Sequence, residues 1–307
     1  MIKAHIITGQ TATGKTHHAI ALAQEIGGYL ISADSRQIYS GMNIITGKDV
    51  YPSDFFTLVE TVTLTSGREV MLGFYTHENV QIWGYDCISP DTQFSAYEFA
   101  CLFQKIISLT IVKNITPIVV GGSYLYIKAL LDGLDTMTAP SWELRNSLET
   151  TSISQLQESL QKVDKKAFDV LNNSDRNNPH RLIRKIEIAS AKKSGQSETL
   201  PPLVQPLSYV GFMHPSQEAL QMAISQRIEG RVQAGALEEV KKLLDDGYTA
   251  DSPGIRTLGY KDLMRYITGD ISWNEAVEKW LVSEIQYAKR QKTFMKKDLR
   301  ITWQMAK

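Results

Sequence analysis

Apolar and polar positions follow two periods along this chain, and the places where the period switches mark its elements. Residues 4–8 form a short apolar run that reads as a buried strand. After it, apolar residues recur at Ala19, Ile20, Ala23 and Ile26, a helical spacing. Residues 29–33 predict a second buried strand, ending at Asp34. The stretch 50–88 is rich in Thr, Val, Tyr and Phe. Within it residues 61–65 alternate strictly between polar and apolar, Ser66-Gly67 signals a turn, and residues 68–72 return, which predicts a β-hairpin. Residues 95–109 are helical, with Phe99, Leu102, Phe103 and Ile106 on one side. Residues 115–120 predict a further buried strand that runs into Gly121-Gly122-Ser123 and a helix over 124–131.

Strand patterns then stop. Residues 136–200 read as helices joined by polar linkers such as Asn172-Asn173-Ser174-Asp175, closing in the breaker-rich Ser194-Gly195 and Pro201-Pro202. Residues 208–213 look like a strand that returns to the sheet. Thereafter the pattern is helical: 217–246, a break at Ser252-Pro253-Gly254, a short helix after Gly259, and a long helix over 273–297.

Between the first strand and the first helix lies Gly9-Gln10-Thr11-Ala12-Thr13-Gly14-Lys15-Thr16, which fits G-x-x-x-x-G-K-[ST]. Glycines let such a backbone curl until successive N–H groups point at one place, and the helix start adds free donors. Lys15 is placed to reach a phosphate oxygen and the Thr16 hydroxyl to hold Mg²⁺. The expected fold is therefore α/β, a P-loop NTPase-like parallel sheet flanked by helices, with an α-helical insertion. The core domain is expected over 1–135 and 201–307 and the insertion over 136–200. Ligands bind outside the carboxyl ends of parallel strands. The phosphate loop, Asp34-Ser35-Arg36-Gln37 and Gly121-Gly122-Ser123 should accordingly converge on one crevice.

Composition narrows the partners. Lys+Arg and Asp+Glu both number 33, so bulk charge steers nothing and a polyanion must be met by local basic patches. A hydrophobic content of 43% in 307 residues suits a soluble chain with a large core. Cys87 and Cys101 have no His/Cys cluster near them, so buried thiols are expected rather than a zinc site or disulfides. No signal-peptide pattern precedes the first strand, and no apolar run approaches the ~20 residues of a membrane span. A cytoplasmic monomer with no membrane partner is expected.

Asp34, at a strand end beside the phosphate site, suits either a metal-holding or general-base carboxylate or a turn aspartate. Two basic stretches stand out. His180-Arg181-Leu182-Ile183-Arg184-Lys185 puts Arg181, Arg184 and Lys185 on one helical face, with Leu182 and Ile183 turned away. Near the C-terminus Lys289, Arg290, Lys292, Lys296, Lys297 and Arg300 crowd one helix, with Lys292, Lys296 and Arg300 spaced by four. Interleaved acids are scarce there, Asp298 being nearly alone, which favours contact with a phosphate backbone. Arg256 and Lys261 flank Gly259-Tyr260 in a short basic turn. Arg227 and Arg231 lie one helical turn apart, and either can point into the crevice. His17-His18 read as structural, since adjacent helical residues diverge by about 100°.

Taken together, these motifs resemble those of the tRNA dimethylallyltransferases. The family's G-P-T-A-S-G-K-T is matched by residues 9–16, its D-S-x-Q-x-Y-x-G-M-D-I by Asp34 through Ile44, and its Y-S-A-x-x-F by Phe94-Ser95-Ala96-Tyr97-Glu98-Phe99. Its V-G-G-T-x-L-Y appears as Val120 through Tyr126, and its N-D-x-x-R-x-x-R-A-L-E as Ser174-Asp175 and Pro179 through Glu187, with a small insertion. Its I-R-x-x-G-Y-R is Ile255 through Lys261, and its Q-x-A-K-R-Q-x-T-W is Gln286 through Phe294. The matches keep family order over nearly the whole chain.

The resemblance implies transfer of a dimethylallyl group from dimethylallyl diphosphate to the exocyclic amine of the adenosine beside the anticodon of tRNA. The phosphate loop would then hold the diphosphate leaving group, not ATP, with Mg²⁺ near Thr16. Asp34 carries over as the base, with Lys15 and Arg227 stabilising the leaving group. Contacts to the tRNA anticodon stem-loop carry over to Asp34, Ser35, Arg36, Gln37, Ser123 and Arg145, and to the basic stretches at 180–184, 256–261 and 289–296. Departures are Asn43 for aspartate, Ile45 for glycine, Lys261 for arginine, Phe294 for tryptophan, Ala223 for a frequent arginine, and a segment 50–85 that lacks the usual paired histidines. The rivals weighed are an adenylate isopentenyltransferase, which needs neither the insertion nor a basic helix, a P-loop kinase, and a non-catalytic RNA-binding protein.

Overall fold

The computed structural model describes residues 1–48, 50, 54–110, 115–134, 139–193 and 200–306. The first strand, β1 (Ile2–Gly9), leads into α1 (Lys15–Ile26), then β2 (Tyr29–Ser32), β3 (Phe56–Thr63), β4 (Glu69–His77) and β5 (Val80–Trp83). Next come α2 (Ala96–Thr110), β6 (Pro117–Val120) and α3 (Tyr124–Asp132). Five helices follow, α4 (Trp142–Leu148), α5 (Ile153–Val163), α6 (Lys165–Asp169), α7 (Asn173–Arg176) and α8 (Pro179–Lys193). The chain returns through β7 (Val204–Met213) to α9 (Gln217–Gln233), α10 (Ala236–Asp245), α11 (Tyr260–Ile267), α12 (Trp273–Met295) and β8 (Thr302–Met305).

One eight-stranded sheet results, ordered β3-β4-β5-β2-β6-β1-β7-β8. From β5 to β8 all neighbours are parallel, as the alternation of strands and helices predicts. Such strands are covered on both faces, and every residue of β2 and β6 is buried. Successive residues take opposite faces: Ile7, Leu30, Ile118 and Val120 pack with Ala19, Ile20 and Ala23 of α1, while Ile6, Ile31 and Val119 join the larger core beneath α2, α3 and the C-terminal helices. The expected hairpin is present as antiparallel β3 and β4, which extend the sheet at one edge.

Two strands escaped the sequence pattern. β5 joins the hairpin to β2, and β8 adds to β7 at the opposite edge. Each is short and interrupted by a glutamine, Gln81 or Gln304, so neither shows the apolar run that marks the equally short β2 and β6. The helix expected over 217–246 is broken at Gly235, whose φ is 101°. The long basic helix stops at Met295, so Arg300 lies beyond it, bonded to Asp132 and Asp298. The expected Lys292–Lys296–Arg300 stripe is therefore not formed on one helix. Cys87 and Cys101 are buried free thiols. Helices α5 to α8 carry a small core of their own, centred on Leu156, Leu160, Phe168, Leu182 and Ile186. Ser194-Gly195 lies outside the described residues.

Candidate active site

At the carboxyl ends of the central strands is a crevice of about 470 Å³. It is lined by Thr11 to His17 after β1, by Asp34, Arg36 and Gln37 after β2, and by Gly121 and Gly122 after β6. The three expected loops do converge.

Ala12 and Gly14 hold left-handed backbone, φ 60° and 74°, which curls the loop, and Gly14 precedes α1 with no side-chain cap. The first turn of α1, Lys15 to His17, therefore opens onto the crevice, the arrangement by which a helix start holds an anion. Lys15, Thr16 and Thr13 line the same wall, and Arg227 of α9 hydrogen-bonds the Thr11 hydroxyl. Gly9 and Gln10 do not line it. Gln10 is 2% exposed. Its Nε2 donates to the Ala288 carbonyl at 3.1 Å and its Oε1 accepts from the His214 N–H at 3.0 Å. Its amide ties the loop to the protein behind it.

Asp34 lines the crevice, its Oδ1 accepting from the Arg36 N–H at 2.9 Å. The Ser123 hydroxyl accepts from the Ser35 N–H at 2.9 Å and joins the β2 and β6 loops. Gln37 accepts from Ser32 at 2.8 Å and donates to the Gly47 carbonyl at 2.8 Å, so its amide is engaged within the protein. Arg227 and Arg231 both reach the crevice. Arg231 pairs with Glu284 of α12 at 2.9 Å. Burial, reinforced by the charge of Arg227, pushes its guanidinium down to about 10.

The expected RNA-contacting residues divide. Arg256 and Arg290 line the crevice, while Lys261, Lys289 and Lys296 are exposed beside it and Lys292 is half-buried. Leu182 and Ile183 face the insertion's core, which removes them from any RNA surface. Tyr260 is fully buried and donates to Glu239 at 2.6 Å, and Gly259 packs on Trp280; neither presents a side chain to RNA. In the insertion His180 is exposed, whereas Arg181 pairs with Asp175 and Arg184 with Glu187. Arg145 grips the same Glu187 through two bonds of 3.0 and 2.8 Å and covers the Trp142 ring. Glu187 and Asp175 thus partner the insertion's arginines.

Sequence reading missed three groups. Glu239 accepts from the N–H groups of Asn43, Ile44 and Ile45 at 2.7, 2.6 and 3.1 Å, clamping the loop that flanks the crevice. Glu284 and Tyr287 enter the crevice from α12. Glu98, fully buried, accepts from Arg68 at 2.9 Å and from the Trp142 indole at 3.1 Å, joining the hairpin turn to α4. The three glutamates are single carboxylates with partners remote in sequence, so no local pattern announces them.

Central parallel strands, the first running into a glycine loop and the next ending in a carboxylate, define a P-loop NTPase-like fold with one crevice at its strand ends. Comparison with known proteins narrows the class. The IPP transferase model matches residues 75–298 and the isopentenyl transferase model residues 2–80. A tRNA dimethylallyltransferase of Geobacillus kaustophilus is 33% identical, covering 98% of this chain and 90% of its own. One from Syntrophus aciditrophicus is 30% identical over 95% of this chain and 88% of its own. Among solved structures, the tRNA isopentenylpyrophosphate transferase of Staphylococcus epidermidis superposes with a TM-score of 0.66 at 29% identity, over 100% of this chain and 94% of that one. The chain belongs to the IPP transferase family, the tRNA dimethylallyltransferases.

Proposed function

We propose that this protein transfers a dimethylallyl group from dimethylallyl diphosphate to the exocyclic N6 amine of the adenosine on the 3′ side of the anticodon in tRNA, releasing diphosphate. The observation that carries the reading is that Asp34 and the phosphate loop open onto one crevice rimmed by Arg36, Arg256 and Arg290. The diphosphate lies against the loop N–H groups, Lys15 and Arg227, and the hydrocarbon has Ile45, Tyr85, Val120 and Leu258 as apolar lining. The adenine leaves its stack in the unpaired loop to reach Asp34. As its nitrogen bonds the allylic carbon, the carbon–oxygen bond to diphosphate breaks, and Asp34 takes the proton from nitrogen. Charge growing on diphosphate meets donors already in place.

Among the described residues no three His, Cys, Asp or Glu groups converge to hold a metal. Mg²⁺ accompanying the diphosphate would be held by the Thr16 hydroxyl, which lines the crevice, since Mg²⁺ is commonly held by few protein groups together with substrate oxygens. Bound there, it would supply additional neutralisation of the leaving group. RNA backbone is met by Lys261, Lys289, Arg290, Lys292 and Lys296, with the helical insertion (136–200) adding His180 and its arginines. We read the chain as a cytoplasmic protein acting as a monomer.

The test uses purified protein, Mg²⁺ and radiolabelled dimethylallyl diphosphate, with an anticodon stem-loop, AMP and ATP as separate acceptors. Label on the RNA is expected. Label on AMP or ATP instead, or ATP hydrolysis without transfer, overturns the reading. A second expectation concerns Gly47, whose φ is 67°. A Cβ there would lie 2.4 Å from Arg227 Nη2 and 2.7 Å from Arg231 Nη2. Gly47→Ala should displace both guanidiniums and weaken inorganic diphosphate binding about tenfold in a calorimetric titration, the loss of one charge-assisted contact.

A further inference from the structure

Gln291, in the family-like motif near the end of α12, has no role in the transfer described so far. It is 6% exposed and sits at the wall of the crevice. Its Oε1 accepts from the Thr11 N–H of the phosphate loop at 2.9 Å, and its Nε2 donates to the Gly122 carbonyl of the β6 loop at 3.2 Å. Nearer the sheet the Thr8 hydroxyl donates to the Gly121 carbonyl at 2.9 Å, and Gln291 adds a tie further out, between the loops themselves. Gly122 permits the contact, since a Cβ there would lie 2.2 Å from Gln291 Nε2. The connection continues. Ser123 follows Gly122 directly, and its hydroxyl accepts from the Ser35 N–H at 2.9 Å, next to Asp34. A hydrogen-bonded path thus runs from Thr11 through Gln291 and the Gly122-Ser123 turn to the Asp34-Ser35 turn.

We propose that Gln291 is a positioning residue that sets the separation between the cradle of the leaving group and the base. This deepens the transferase reading and rests on it. The chemical argument is geometric. The attacked carbon must lie between a diphosphate fixed by one loop and an amine fixed beside Asp34, and misplacement of a reacting partner by about 1 Å costs on the order of 100-fold in rate. Only an amide serves both neighbours, because one end must accept from an N–H and the other must donate to a carbonyl. A carboxylate keeps the first bond and turns the second into repulsion. A protonated carboxyl restores both.

Two variants test this in the full-length protein. For Gln291→Glu, kcat for RNA prenylation divided by the wild-type value at each pH should rise about tenfold as pH falls from about 8 to about 6, while the KM for dimethylallyl diphosphate changes less. Taking the ratio removes the titration of the other groups around the crevice: Lys15 and His17 of the phosphate loop, Asp34 and Arg36, Arg227 and Arg231 of α9, Arg256, Glu284, Tyr287 and Arg290 of α12, and His214 against Thr11. A ratio that stays near one at all pH values overturns the proposal. A simple packing role would give a pH-independent loss, and that result also overturns it. For Gln291→Leu, inorganic diphosphate titrated into the folded variant should bind about tenfold more weakly. Unchanged binding overturns the brace between the loops. This second measurement needs no transfer activity. Failure of the wild type to prenylate RNA would therefore reject the transferase reading while the diphosphate titration still decided the role of Gln291.

Discussion

Asp34→Asn lowers the single-turnover rate of transfer to an anticodon stem-loop by about 10²- to 10⁴-fold, the range for removal of a general base, and leaves RNA affinity within about twofold. Asparagine is the informative replacement. Its oxygen can still accept from the Arg36 N–H, as Asp34 Oδ1 does at 2.9 Å. The turn after β2, the Ser35–Ser123 bond and the neighbouring Arg36 side chain are thereby preserved, while the group that takes the proton is lost. Rate and affinity are measured on one preparation, by quenched-flow transfer of label and by fluorescence anisotropy of a labelled stem-loop. A variant as fast as wild type would show that Asp34 is a turn residue. A parallel loss of RNA affinity would assign it to binding instead of proton transfer.

Asp86→Ala destabilises the fold by about 3–5 kcal/mol, the cost of stranding a buried charge. The partner is Lys48, whose side chain is 0% exposed against 9% for Asp86. Its ammonium donates to Asp86 at 2.5 Å, to the Tyr39 carbonyl at 2.7 Å and to Asn43 Oδ1 at 2.8 Å. Burial pulls the Lys48 ammonium below its ordinary range, and the Asp86 charge opposes that fall. Tyr75 of β4 donates to the second Asp86 oxygen at 2.5 Å. Without Asp86 the ammonium keeps neutral acceptors only, and the Tyr75 hydroxyl loses its acceptor. Urea unfolding followed by circular dichroism should show a lower midpoint with an unchanged slope. The double variant Lys48→Met with Asp86→Leu should recover much of the loss, because removing both charges also removes their desolvation cost. If the single variant were as stable as the wild type, the pair would contribute nothing net. Lys48 and Asn43 bracket the loop that Glu239 clamps, and that loop carries Gly47 to the two arginines. Stability here and donor binding are therefore expected to change together.

What the sequence disclosed follows from which interactions are local. The glycine loop, the buried strands β1, β2 and β6, and the hairpin turn at Ser66-Gly67 are written in runs of neighbouring residues, and the rule for strand ends was enough to bring three loops together. The short strands β5 and β8 carry no period. The clamp of Glu239 on residues 43–45 and the pairing of Arg231 with Glu284 join segments far apart in the chain. Gln10 shows the limit from the other side. The motif says nothing of its side chain, whose amide is held by Ala288 and His214 from the far end of the sequence. Arg300 was read as part of a basic stripe, and the structure gives it two aspartates instead.

The Thr11–Gln291 hydrogen bond joins residues 280 positions apart. During synthesis at ~5–20 residues per second, roughly 15 to 55 s separate the emergence of the two. β1 finds its neighbours sooner, pairing His5 with Ile118 of β6 and Ile2 with Val204 of β7. The glycine loop leaves the ribosome early but gains its braces last, from Gln10's partner Ala288 and from Gln291. A nascent or prematurely terminated chain therefore displays the phosphate-loop sequence without a finished donor pocket. The pocket is finished only when α12 docks behind the glycine loop.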